Sequence, residues 1–134
     1  MDFFTVLVVD DEEDFLETIV KRLQKRNINT HGAKSGEEAL EIISRIAVDV
    51  VILDVKMPGG MDGIETLREI KKLSPLTELI LLTGHASVET TREGMRLGAS
   101  DYLLKPVKLE ELLPKLLQAS EKRKRRIRRS GVPE

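Results

Sequence analysis

Short unbroken apolar runs alternate along this chain with longer stretches in which apolar residues recur every three or four positions. Val6-Leu7-Val8-Val9, Val50-Val51-Ile52-Leu53, Leu79-Ile80-Leu81-Leu82 and Leu103-Leu104 are runs of the first kind. Bounded by turn or charged residues, such runs predict strands buried on both faces. They place strands over about 4–9, 48–53, 78–82 and 101–104, with a weaker one around 28–32. Phe15, Ile19 and Leu23 fall at i, i+4 and i+8 and predict an amphipathic helix over about 12–26. A second helix opens at Ser35, with Glu38 three residues on as a capping box, and carries Ala39, Leu40, Ile42, Ile43 and Ile46. Further helices are predicted over about 62–73, over about 86–97 with Gly98 as the C-terminal stop, and from 108 onward. Pro114 falls inside the last of these. It removes a backbone bond and opposes the Glu110 carbonyl, which predicts a kink or a late start. Five strand-helix units predict the α/β class: a doubly wound, five-stranded parallel sheet flanked by five helices.

Composition narrows the picture. At 134 residues the chain has the length of one domain with a substantial core. Aromatic residues make up only 3% against 40% apolar, so the core is aliphatic. With no Trp and no Cys, a tryptophan-lined pocket, disulfides, thiol catalysis and cysteine metal sites are all excluded. No apolar stretch approaches the ~18 residues of a membrane span. Met1-Asp2-Phe3-Phe4 lacks the basic and apolar regions of a signal peptide, so a cytoplasmic protein is expected. The net charge of −1 hides an asymmetry: residues 1–120 carry −6 and residues 121–134 carry +5. The first segment reads as the domain. The second, Lys122-Arg123-Lys124-Arg125-Arg126-Ile127-Arg128-Arg129 and its flanks, reads as a solvated basic helix extension. Contact with nucleic acid is expected, if anywhere, only through this tail.

The strand ends carry the candidate chemistry. Asp10-Asp11 follows the first strand, Asp54 the third, Thr83-Gly84 the fourth and Lys105-Pro106 the fifth. Open parallel sheets place their ligands at the carboxyl ends of strands, so these groups meet at one rim. Like-charged carboxylates packed together repel and call for a cation. Mg²⁺ suits them, because it is hard, takes oxygen ligands and keeps several waters. Lys105 supplies a second positive charge and Thr83 a hydroxyl. Carboxylate, divalent cation, lysine and hydroxyl together make a site for a transferred phosphoryl group, with Asp54 as nucleophile.

Asp10-Asp11, Asp54, Met57-Pro58 with Asp62-Gly63, Thr83-Gly84, and Tyr102 with Lys105-Pro106 stand in an order and at a spacing that resemble the receiver domain of bacterial two-component response regulators. The resemblance covers residues 5–120 and points to the single-domain, chemotaxis-type members. It implies a flavodoxin-like sheet of order 2-1-3-4-5. It implies that Asp54 accepts phosphate from a sensor histidine kinase or phosphotransfer protein. Asp11 and Asp54 would bind Mg²⁺ directly with the backbone carbonyl of Lys56, and Asp10 through water. Lys105 would pair with Asp54 at rest and with the phosphoryl group afterwards. Thr83 would shift toward the phosphoryl group as Tyr102 swings inward, remodelling the face made by the fourth helix, fifth strand and fifth helix. A cis Lys105-Pro106 bond and a downstream protein effector are also implied, and a phosphorylation-linked homodimer is left open. Catalysis would be limited to the protein's own phosphorylation and dephosphorylation, with output by altered binding and no DNA-binding module of its own. One departure stands out: the family has one residue fewer where Gly59-Gly60-Met61 separate Pro58 from Asp62. The extra residue is expected to be absorbed as a bulge.

Two rivals remain on the residues alone. An Asp-nucleophile phosphatase or phosphotransferase on a similar sheet wants Asp-x-Asp after the first strand, where this chain has Asp10-Asp11-Glu12. A flavin-binding electron carrier wants a phosphate-cradling loop there and aromatic residues to stack on the flavin.

Overall fold

The computed structural model describes residues 4–131. Residues 1–3 and 132–134 lie outside the described residues, and with them most of the segment read for a signal peptide and the last residues of the basic tail. Strands and helices alternate as β1 (Thr5–Val9), α1 (Glu13–Gln24), β2 (Asn29–Ala33), α2 (Gly36–Arg45), β3 (Val50–Asp54), α3 (Gly63–Leu73), β4 (Glu78–Thr83), α4 (Val88–Arg96), β5 (Asp101–Leu104) and α5 (Leu109–Ser130). A short 3-10 turn, His85–Ser87, leads into α4. All strand pairs are parallel, in the order β2-β1-β3-β4-β5. The architecture and strand order are those expected.

The apolar runs divide by strict alternation into two cores. Leu7, Val9, Val51, Leu53, Leu79 and Leu81 face α2 and α3, where Ala39, Ile43, Leu67 and Ile70 meet them. Val6, Val8, Val50, Ile52, Ile80 and Leu82 face α1 and α5, where Leu16, Ile19, Leu23, Leu112 and Leu116 meet them. Each such side chain taken fully from water contributes about 1.5–3 kcal/mol. Two filled faces explain why the strands read as continuous rather than alternating. In α1 the buried stripe runs through Leu16 as well as Ile19 and Leu23, while Phe15 is only half-buried.

Helix ends depart from expectation in places. The capping box at Ser35 is half made: Ser35 Oγ accepts from the Glu38 N–H at 3.1 Å. A complete box closes instead at α3, where Asp62 accepts from the Glu65 N–H at 2.8 Å and Glu65 accepts from the Asp62 N–H at 3.3 Å. Gly98 does end α4, at φ 111°. The Ala99 N–H reaches the Gly94 carbonyl and the Gly98 N–H the Met95 carbonyl, a Schellman pair. The extra residue before Asp62 is taken up by Gly59 and Gly60, both left-handed at φ 79° and 57°. α5 starts at Leu109 and runs unbroken through Pro114, so no late start occurs.

The basic tail corrects the solvated reading. α5 continues past residue 120, and Ile127 is buried. Arg123 Nη1 bonds Asp49 Oδ1 at 2.7 Å, and the other Asp49 oxygen accepts the Thr5 N–H at 2.7 Å. Arg126 Nη1 bonds both carboxylate oxygens of Glu78, at 2.9 and 3.1 Å, and Nη2 the Pro75 carbonyl at 3.0 Å. Glu78 is fully buried at the start of β4. The tail therefore clasps the pole of the sheet opposite the strand ends that carry Asp54 and Lys105.

Candidate functional site

The site is held from below by the sheet ladder. The Asp10 N–H bonds the Ala33 carbonyl, the Val55 N–H the Leu82 carbonyl, and the Lys105 N–H the Thr83 carbonyl. Each candidate residue thus leaves its strand in a direction set by a neighbouring strand. The α3 N-terminus closes in from one side. A methyl group on Gly63 would come within 2.6 Å of the Val55 backbone and 2.7 Å of the Asp54 carbonyl, so only glycine lets the helix lie this close. The Lys105-Pro106 peptide bond is cis, as expected.

Carboxylate oxygens of Asp10, Asp11 and Asp54 lie within 4.8 Å of one another. Asp10 is fully buried, Asp54 is 6% exposed, and Asp11 faces solvent. Lys105 Nζ sits between the two buried acids, 2.9 Å from Asp10 Oδ2 and 3.4 Å from Asp54 Oδ2. The lysine expected on Asp54 at rest therefore pairs more closely with Asp10. The Asp10 carboxylate also accepts the Glu12 N–H at 2.9 Å, so it is a structural anchor in its own right. Asp54 Oδ1 accepts the Lys56 N–H at 3.2 Å.

Burial pushes the Asp54 carboxyl up from 3.8 to about 6, and the charge of Asp10 adds to the rise. The Lys56 N–H and the Lys105 ammonium pull the other way without cancelling it. Burial alone would lower Lys105, but its bond to Asp10 and the charges of both acids hold it above its ordinary 10.5. Three carboxylates facing one ammonium leave about two negative charges unbalanced in a site lined by hard oxygen donors. That donor set fits a divalent cation such as Mg²⁺. Asp11 and Asp54 border an open cavity of about 360 Å³ with Lys56, Gly84 and Lys105, room for a small anion beside such a cation.

Thr83 stands one residue beyond Leu82, the β4 partner of Asp54, and is 2% exposed. Its hydroxyl lies 2.6 Å from that of Thr91 on α4 and 3.2 Å from the Gly84 carbonyl. Tyr102 is 45% exposed and lines a cavity of about 480 Å³ with Thr83, Thr91, Met95 and Leu104. Two residues had no role on sequence. Phe15, placed in the helix stripe, lies under Lys105, with Nζ 4.9 Å from the ring centroid, a cation–π contact. Thr91 sits mid-helix, and no spacing marks it as the partner of Thr83.

The model of the response regulator receiver domain matches residues 6–117 of this chain. The regulatory protein AtoC of Escherichia coli is 40% identical over 107 residues, which cover 80% of this chain and 23% of AtoC. The putative response regulator NtrX-like protein of Rickettsia bellii is 38% identical over 122 residues, 90% of this chain and 26% of its own. The chain thus spans about a quarter of the length of these relatives. Among solved structures, the receiver domain of NtrX from Brucella abortus superposes with a TM-score of 0.82 at 34% identity, over 87% of this chain and 98% of that one. A receiver domain from Clostridium thermocellum does so with a TM-score of 0.86 at 36% identity, over 91% and 98%.

Proposed function

As a member of the response regulator receiver family of two-component signalling, the chain carries a phosphoacceptor switch, and we propose that Asp54 is its acceptor. The observation that carries this is the convergence of Asp54, the Asp10–Asp11 pair and Lys105 on one rim. A lone pair of the Asp54 carboxylate attacks the phosphorus of a phosphohistidine, the O–P bond forms, and the N–P electrons leave with the imidazole. Asp11, Asp54 and the Lys56 carbonyl would hold Mg²⁺ directly, and Asp10 through water. The ion, when bound, neutralises charge on the transferring oxygens. Lys105 moves its weight from Asp54 to the new phosphoryl oxygens, and its tie to Asp10 keeps it within reach. Phe15 limits its excursion on the other side.

The chain catalyses only its own phosphorylation and dephosphorylation. It acts in the cytoplasm, receives phosphate from a histidine kinase or phosphotransfer protein, and signals by altered binding to a protein effector or a second copy. The surface that changes is the one made by α4, β5 and α5, where Tyr102 has an adjoining cavity to enter. Among the described residues no helix is long and apolar enough to cross a membrane.

The test is intact mass after incubation with Mg²⁺ and acetyl phosphate. Wild type gains one phosphoryl group and Asp54→Asn gains none. A full adduct on the variant refutes the assignment. Hydrogen exchange with and without the phosphoryl group should change most around Met95 and Tyr102. Changes confined to α1 and α2 contradict the proposed output face.

A further inference from the structure

We propose that Thr91 is a positioning residue that sets the resting state of Thr83. Its hydroxyl holds the Thr83 hydroxyl against α4 until an anion on Asp54 competes for it. The idea rests on the reading of Asp54 and Thr83 given above.

Thr91 Oγ1 lies 2.6 Å from Thr83 Oγ1 and 2.8 Å from the Ser87 carbonyl. Thr83 Oγ1 lies 3.2 Å from the Gly84 carbonyl. Two hydroxyl hydrogens therefore serve three oxygen contacts. If Thr91 donates to Thr83, the Thr83 hydrogen is directed to Gly84. If Thr91 donates back to Ser87, the Thr83 hydrogen goes to Thr91. Either way it is engaged within the turn leading from β4 into α4. A phosphoryl oxygen only accepts, so Thr83 reaches it by giving up its present arrangement. Both threonines are buried, at 2% and 8% exposure, so water does not readily replace the lost contact.

The bond between the hydroxyls thus opposes the movement of Thr83. It also links that movement to α4, because Thr91 lies one turn into the helix. The wall of the cavity beside Tyr102 includes both threonines, so the same bond borders the space that the tyrosine would enter. One neutral hydrogen bond is equivalent to about a fivefold bias.

The experiment compares Thr91→Val, which removes the hydroxyl, with Thr91→Ser, which keeps it. In the protein without phosphate, three-bond NMR couplings to Thr83 Cγ2 report its side-chain rotamer. Wild type and Thr91→Ser should give one rotamer, and Thr91→Val an average. In a titration with beryllium fluoride and Mg²⁺, a phosphoryl mimic, Thr91→Val should bind about fivefold more tightly than wild type. The gain should vanish in the Thr83→Ala background. Unchanged Thr83 couplings in folded Thr91→Val overturn the proposal, as does a gain that persists without the Thr83 hydroxyl. If wild type does not bind beryllium fluoride at all, the phosphoacceptor reading fails, and the couplings still decide the role of Thr91.

Discussion

At neutral pH the Asp54 carboxylate is ionised in a place that disfavours its charge. Its acid form persists to about pH 6, because burial and the Asp10 charge outweigh Lys105 and the Lys56 N–H. The folded value lies above the ordinary 3.8, so the stability linked to this group is fully present below about pH 4. It is lost as pH rises through 6. Asp54→Asn should therefore stabilise the metal-free domain at pH 7–8, by about 1–3 kcal/mol for a shift of this size. The gain should be absent near pH 4. Thermal unfolding across that range, for both proteins, checks the sign. The same carboxylate must be ionised to hold Mg²⁺, so metal affinity should climb through pH 6. Asp11→Ala should cut that affinity at least tenfold, since a site with so few protein ligands cannot spare one. Isothermal titration that finds it unchanged removes Asp11 from the metal site.

Among the elements, α3 has the tightest relation to the site. Its first residue, Gly63, lies against the backbone of Asp54 and Val55, and Asp62 caps the same turn. A methyl group there meets backbone atoms, which cannot swing aside as a side-chain tip would. Gly63→Ala should cost about 1–3 kcal/mol. It should also weaken Mg²⁺ binding, because the displaced chain carries Asp54 and the Lys56 carbonyl. Thermal unfolding and a metal titration on one sample would separate the two effects. A variant with wild-type stability and affinity would show that the helix can shift freely. The Gly59-Gly60 turn beside it is tied to α2 at its far end by the Met61 N–H on Glu37, at 3.2 Å.

For the whole molecule, the tail ties one pole of the sheet while the switch works at the other. Arg123 reaches across 74 positions to Asp49 and Arg126 across 48 to Glu78. Glu78 is buried, so removing the guanidinium leaves its charge with the Ser100 hydroxyl, 2.9 Å from Oε2, as its side-chain donor. Arg126→Ala should cost about 2–3 kcal/mol, below the full penalty for a buried pair, because the arginine is one-third exposed. Removing residues 121–134 takes Arg123, Arg126 and Ile127 together and should lower Tm by about 10 °C. Asp54 should still accept phosphate in the truncated protein well below its Tm. A truncated chain as stable as the full one would restore a boundary near residue 120. The exposed Lys122, Arg125, Arg128 and Arg129 remain for an outside partner, so the tail offers fewer free charges than its composition suggests.

The parallel sheet and the meeting of Asp10, Asp11, Asp54, Thr83 and Lys105 at one rim were legible in the sequence. Continuous apolar runs admit burial on both faces, and burial on both faces requires helices on both sides. In a parallel sheet every run then ends at the same edge, so whatever follows a run arrives at the site. Which group each side chain would touch was decided only in three dimensions. Lys105 leans on Asp10, 95 positions away, more closely than on Asp54, although β3 and β4 both lie between β1 and β5. Thr83 bonds Thr91 because α4 presents that residue after a 3-10 turn. The arginines of α5 read alike from sequence whether solvated or paired. Their fate depended on the length and direction of the helix as it crossed the sheet, and on two acids, Asp49 and Glu78, waiting at its far pole. Local periodicity specifies elements and their faces, while contacts between distant residues follow from how those elements pack.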